Sequence, residues 1–355
     1  MKLAFYAPLK SPDHPTPSGE RTMARAVMAA LEYSGASVDL ASDLRSRDGK
    51  GDPDKQRVLH GQAAAECTRL IQVGKNARWQ AWVTYHNYYK APDLLGPAVA
   101  QALNIPYLQI ESTRARKRLG GPWDSFAIAA ESATDAADVI FFLTTRDAIA
   151  LRRDAPPHQR LIHLRPFLER SELPPSSTGQ GPMLSVGMMR DGDKLASYTL
   201  IAQTLALLPK SGWQLSIAGD GPARENVERL MAPFANAVTF RGVLDPVALS
   251  QAYQNSRLLF WPGVNEAFGL AYLEAQAHGL PVVAQDRPGV CDVLAPGTYP
   301  SVSDGPAGLA KMLKTLMSHP MQQTQTTRRH VTAHHLLPAA AETLRSGLAL
   351  AGVDP

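Results

Sequence analysis

The chain has 355 residues, too many for one ordinary hydrophobic core and enough for two domains. Charged residues make up 19% and apolar ones 45%, which excludes a disordered or solvating chain, and no apolar run approaches the ~18 residues of a membrane span. A net charge of +4 is too mild to argue for nucleic acid, the distant Cys67 and Cys291 suit a reduced compartment, and "MKLAFYAPLK" reads as a strand rather than a signal peptide, so a cytoplasmic protein is expected.

Buried-strand patterns alternate with helical ones from end to end, the signature of parallel α/β sheets. In the first half, strands are expected at Lys2–Ala7, Ser37–Ala41, Ala81–Tyr85, Tyr107–Ile110, Val139–Leu143 and Leu161–Leu164. Helices are expected between them at Glu20–Tyr33, Asp54–Val73, Asp93–Leu103 and Asp124–Ala136. The segment Glu169–Pro182, rich in Pro, Ser and Gly, reads as an interdomain linker. A second alternation follows, with strands at Met183–Gly187, Gln214–Ala218, Val238–Phe240, Leu258–Trp261 and Pro281–Ala284. Its helices are expected at Lys194–Leu208, Ala223–Pro233, Pro246–Tyr253 and Gly269–His278, with helical pattern again from Pro306 and a long amphipathic helix after Pro338. The domains are thus read as 1–168 and 183–335, joined by 169–182 and followed by a helix over 336–355. Ligands of doubly wound sheets bind beyond the C-terminal strand ends. A cleft between two such domains is the expected site.

The most specific stretch is "FWPGVNEAFGLAYLEAQAHGLPVVA", where Glu266 and Glu274 stand eight residues apart around a helix start. The amides of Phe268, Gly269 and Leu270 open that helix, and free amides there attract anions. Two carboxylates beside them can accept hydrogen bonds from vicinal hydroxyls. Diphosphate, ribose and hexose suit such a site. Upstream, "MLSVGMMRDGDKLASY" is a strand, a Gly-containing loop and a helix start carrying Arg190 and Lys194. No metal-ligand cluster is visible in the sequence, so fixed cations are the expected counter-charge for a diphosphate.

These residues resemble the Glu-x7-Glu signature of retaining GT-B glycosyltransferases of family 4, the glycosyl transferases group 1. Glu266, Phe268, Gly269, Glu274, Ala275, Gly279, Pro281, Val282 and Val283 stand in register with its pattern. The resemblance implies two doubly wound Rossmann-like domains facing across a cleft, with the final helix returning to the N-terminal domain. It implies that Glu266 contacts the donor sugar, that the amides of Phe268–Leu270 hold sugar and phosphate, and that Glu274 accepts the ribose hydroxyls. Lys194 fits the family's phosphate-binding Lys. Met188 stands where the family carries an Arg, and Arg190 follows two residues later.

In the N-terminal half, Gly19 lies where related enzymes have a Gly-rich loop, often a Gly pair; this chain has Gly19-Glu20. Either Gly19 approaches the donor phosphate, or Ser18 simply caps the helix with Arg21 solvated. His86 ends a strand at the position of a family histidine near the donor sugar, and a structural histidine is the alternative. Tyr85, Tyr88, Tyr89 and Lys90 could line an acceptor pocket or pack the loop; Glu111, at the next strand end, is a weaker candidate of the same kind as His86. Arg114, Arg116, Lys117 and Arg118 form either a solvated basic face or a contact with anionic acceptors or the inner membrane surface.

No G-x-G-x-x-G, P-loop or G-x-S-x-G motif occurs, which weighs against dinucleotide oxidoreductases, P-loop nucleotidases and α/β-hydrolases. The reading is a cofactor-free, metal-independent hexosyltransferase moving sugar from a nucleoside-diphosphate donor to an acceptor hydroxyl, with His86, Glu266 and Lys194 as its catalytic residues. Bacterial polysaccharide or glycolipid synthesis would be its setting. A catalytically silent sugar-nucleotide-binding or scaffold protein, and a sugar-nucleotide epimerase, are the alternatives on the same architecture.

Overall fold

A computed structural model describes residues 1–16, 18–318 and 324–353. It divides into two units, Met1–Arg165 with Leu337–Pro355, and Pro166–Leu336.

The first unit alternates strand and helix throughout. Its order is β1 (Lys2–Tyr6), α1 (Gly19–Tyr33), β2 (Ser37–Ser42), α2 (Pro53–Ala77), β3 (Ala81–Tyr85), α3 (Gly96–Leu103), β4 (Tyr107–Ile110), α4 (Asp124–Ala136), β5 (Val139–Phe142), α5 (Thr145–Asp154) and β6 (Arg160–His163). The strands form one parallel sheet in the order β2-β1-β3-β4-β5-β6. Strands β3, β4 and β5 are buried along their whole length, as expected of runs such as "VIFF" covered on both faces. The order reverses between β1 and β3, which opens a crevice at the C-terminal ends of those two strands.

The second unit contains β7 (Met183–Val186), α6 (Asp193–Leu205), β8 (Leu215–Ala218), α7 (Arg224–Met231), β9 (Val238–Gly242), α8 (Pro246–Gln254), β10 (Leu258–Phe260), α9 (Leu270–Ala277) and β11 (Val282–Val283). Helices α10 (Gly305–Ser318) and α11 (Thr324–His334) follow. Its parallel sheet runs β11-β10-β7-β8-β9, so the order reverses between β7 and β10. The final helix, α12 (Leu337–Leu350), belongs to the first unit, burying Ala340, Ala341, Leu344 and Leu348 against it. Among the described residues no helix is long and apolar enough to cross a membrane.

Three features differ from the expectations. Residues 145–154 form α5, where no helix is expected; Thr144 caps it by accepting from the Asp147 amide. The expected linker is pinned to the second unit: Ser177 donates its amide to His278 O and its hydroxyl to Ser256 O, and the Thr178 amide bonds Gln254 O. The chain passes between units at Arg165/Pro166 and Leu336/Leu337, and a bridge joins Leu168 to Leu336 beside both passages.

Candidate functional site

In the second unit the loops after β7 and β10 meet at the switch point. Gly187 ends the first of these strands, and a Cβ there would lie 2.6 Å from the indole of Trp261, so glycine lets the ring sit against the backbone. Trp261 is buried, packs edge-on against Tyr198 at 5.1 Å, and donates its indole N–H to Glu266 Oε1 at 2.9 Å. Lys194, in the first turn of α6, bonds the same oxygen, and its ammonium lies 5.4 Å above the Trp261 ring. Around them, the Val264 amide bonds Ser197 Oγ at 3.0 Å and Asn265 bonds Asp193 at 2.9 Å, tying the β10 loop to α6. Glu266 and Lys194, 72 residues apart in sequence, thus share one spot at the C-terminal edge of the sheet.

The loop then turns into α9. Gly269 precedes the helix with φ +83° and no side-chain cap, so the first-turn amides lack an intrahelical partner. Gly289, with φ +86°, presses on this loop from the far side; a Cβ there would lie 1.9 Å from Ala267 O. Glu274, one turn into α9, accepts from the Tyr253 hydroxyl at 2.8 Å. Burial raises its carboxyl pKa, with Tyr253 and Arg170 opposing. Arg190 is exposed and forms no ion pair among the described residues; Met188, two residues before it, is 44% exposed.

The first unit carries a second cluster at its own switch point. Ser18 caps α1 by accepting from the Arg21 amide, and nothing lies within 4 Å of where a Gly19 Cβ would be. The capping alternative is therefore what the structure shows at Ser18. Glu20 instead reaches His86, 2.9 Å from its Nδ1, and Glu111 lies 4.0 Å from the same nitrogen. Burial disfavours the charged ring, yet Glu20 and then Glu111 outweigh it and raise the His86 pKa to about 9. A proton on Nδ1 is donated to Glu20 in this arrangement, and the charged ring is the form the two carboxylates favour. Burial lifts the Glu111 carboxyl to about 7, with His86 opposing and Glu20 adding, while Glu20 is lowered because His86 outweighs its own burial. Sequence reasoning missed Glu20, Tyr253 and Trp261 as partners. The signal for Glu20 was its position one residue past Gly19, opposite a strand-end histidine.

The basic stretch does not act as one face. The Arg114 side chain is fully buried, bonding Glu131 at 2.8 Å and Asp135 at 2.6 Å, so it holds α4 rather than meeting a ligand. Arg118 lies 4.8 Å from the Tyr89 ring centroid. Only Arg116 and Lys117 are exposed, and Arg116 pairs with Glu131 and Asp154. Of the two readings offered for the four cations, a solvated face or a contact with a membrane or acceptor, neither fits Arg114, whose guanidinium is buried on Glu131 and Asp135. Among the described residues no group of three or more His, Cys, Asp or Glu is arranged to hold a metal ion.

Residues 183–319 match the family model "Glycosyl transferases group 1". A sulfoquinovosyl transferase of Arabidopsis thaliana is 35% identical over 28% of this chain and 18% of its own length. A GDP-mannose-dependent alpha-mannosyltransferase of Mycolicibacterium smegmatis is 32% identical over 29% of this chain and 26% of its own. The matched stretch thus spans about a fifth to a quarter of these curated relatives. Among solved structures, a sucrose-phosphate synthase of Thermosynechococcus elongatus superposes with TM-score 0.71 at 16% identity over 97% of both chains. Anabaena HepE, solved in complex with UDP, gives 0.72 at 14% identity over 98% of this chain and all of its own. Such identities speak for the fold alone. Residues 183–319 therefore carry the match to glycosyl transferases group 1, and the chain has the α/β GT-B fold of these solved structures.

Proposed function

We propose that the protein moves a hexose from a nucleoside-diphosphate sugar to an acceptor hydroxyl with retained anomeric configuration. The observation that carries this reading is the Lys194–Glu266–Trp261 arrangement at the second unit's switch point, beside the uncapped start of α9. Lys194 and Arg190 neutralise the departing diphosphate, aided by the amides of Phe268, Gly269 and Leu270. When phosphate draws Lys194 away, Glu266 is released to accept from sugar hydroxyls while Trp261 keeps its carboxylate oriented. Glu274, positioned by Tyr253, takes the ribose hydroxyls. Gly19 remains a candidate phosphate contact, and His86 is the first unit's candidate for the sugar. In retaining transfer the leaving diphosphate can accept the acceptor's proton, so the residues mainly position groups and stabilise charge. The UDP bound in HepE and the GDP-mannose dependence of the mycobacterial relative support a nucleotide-sugar donor.

A panel of UDP-, GDP- and ADP-sugars tests this by thermal shift and by release of nucleoside diphosphate. One donor should raise the melting temperature, as any ligand of the folded state does. Glu266→Gln and Lys194→Ala should each lower turnover by about 100-fold, the scale of losing one preorganised charge contact, with little change in melting temperature. Wild-type turnover in both variants sinks the site. Donor binding without turnover in the wild type favours a silent binding protein, the reading that exposed Met188 at the family's Arg position keeps open.

A further inference from the structure

The loop after β3 carries a run of rings away from His86. Tyr88 lies 4.8 Å from the His86 ring, Tyr89 follows at 5.7 Å, and Trp123 stands edge-on to Tyr89 at 5.7 Å and 88°. Two cations share the last ring pair. Lys90 Nζ is 5.6 and 5.4 Å from the Tyr89 and Trp123 centroids, and the Arg118 guanidinium is 4.8 and 5.8 Å from the same two. Burial raises the Tyr88 hydroxyl pKa, and the charge of a third cation, Arg47, opposes it. The backbone gathers them: the Asp48 amide bonds Lys90 O at 2.8 Å, and the Trp123 indole bonds Asp48 O at 3.0 Å.

Ring faces attract Lys90 and Arg118 separately and leave the repulsion between the cations in place. None of the three forms an ion pair among the described residues, and Arg118 Nε is buried without a hydrogen-bond partner. The nearby carboxylates are engaged elsewhere. Asp48 accepts from the Lys50 and Asp52 amides and from Gln56; Glu20 serves His86; Asp124 accepts from the Gly120 amide. Half-buried Lys90 and Arg118 beside exposed Arg47, without ion-pair partners among the described residues and with an orphan guanidinium N–H, are complementary to an oxyanion.

We infer that Lys90 and Arg118, held on the Tyr89 and Trp123 rings, together with Arg47 beside Tyr88, bind the phosphate or carboxylate of an anionic saccharide acceptor. This rests on the transferase reading above, because the ring run leads from His86 to the cations.

The test is binding without any donor, so its failure is distinct from failure of transfer. Glucose 6-phosphate, glucuronate and glucose are titrated into the full chain by calorimetry at low and high salt, for wild type, Arg118→Gln and the double variant R47Q/R118Q. At least one anionic sugar should bind about tenfold or more tighter than glucose, since a charged hydrogen bond contributes ~1.5–3 kcal/mol and tenfold is ~1.4 kcal/mol. Salt should weaken it, and the double variant should erase the preference while donor binding is kept. Comparison of the two anionic sugars assigns phosphate or carboxylate. No preference for charged sugars, or a preference unchanged in the double variant, overturns the inference. So does cosedimentation with phosphatidylglycerol vesicles that the double variant loses while no sugar binds, which would assign the cations to a membrane surface.

Discussion

His86 and Glu111 hold φ of +66° and +58°, in the left-handed region where non-glycine residues are uncommon. Both follow directly on the last residue of a buried strand, and their amides still bond the neighbouring strands, His86 to Ile110 O and Glu111 to Phe141 O, each at 2.8 Å. The sheet thus imposes the conformation, and both side chains come to face Glu20. Tyr85, Tyr88, Asp147 and Lys10 complete the charged and titratable surroundings. A raised histidine pKa stabilises the fold at pH below the ordinary value of 6.5, and that contribution is lost as pH rises through about 9. NMR titration of the His86 ring should therefore give a midpoint well above 6.5, and Glu20→Gln should move it down. A wild-type midpoint at or below 6.5 would refute the pairing. The strand-end position of His86 was legible in the sequence. Its partner was not, because Glu20 lies 66 residues away and only the parallel pairing of β1 with β3 joins their loops.

At the scale of elements, the β10–α9 loop is a rigid piece. Trp261 and Ser197 hold it from the sheet side, and the Gly289 turn covers the backbone of Glu266 and Ala267. Gly289→Ala forces that turn or the loop to move, and adds backbone strain of ~1–3 kcal/mol from the left-handed conformation. Denaturant unfolding should show a loss of that order, and donor affinity should fall with it; unchanged values in both would show the loop to be soft. The strand and helix positions around this loop were legible because buried apolar runs and Gly breaks alternate strongly. Helix α5 was not. Its ten residues, "TRDAIALRRD", carry five Arg and Asp on exposed or half-buried positions and only two fully buried residues, too weak an apolar stripe to announce a helix. The Thr144 to Asp147 cap was the available signal. The Pro- and Ser-rich composition of 169–182 read as a linker, but composition does not report that Ser177 and Thr178 find carbonyl partners 76 to 101 residues away. Arg114 was misread for the same reason, since its acids lie 17 and 21 residues on, in α4.

For the whole molecule, alternation along the chain foretold two parallel sheets, whereas the strand orders depend on contacts that no local pattern encodes, and the place of α12 in the first unit was expected from the family resemblance alone. Helix α12 lies on α1 and on β5 and β6, so closely that a Cβ on Gly347 would fall 2.1 Å from the Phe141 ring. Leu344 and Leu348 are buried there, and each contributes ~1.5–3 kcal/mol, a large share of a domain's ~5–15 kcal/mol. A chain ending at Leu336 should therefore lose the cooperative melting of the first unit while the second still unfolds cooperatively and still binds donor. Calorimetry with and without nucleotide sugar reads both; a first-unit transition unchanged by the truncation would refute the role of α12. Because the second unit is inserted between two stretches of the first, order of synthesis and order of completion are reversed. A ribosome makes β1 to β6 first, yet those strands wait, with the apolar faces of α1 and β5 uncovered, until the whole inserted unit and then α12 have emerged.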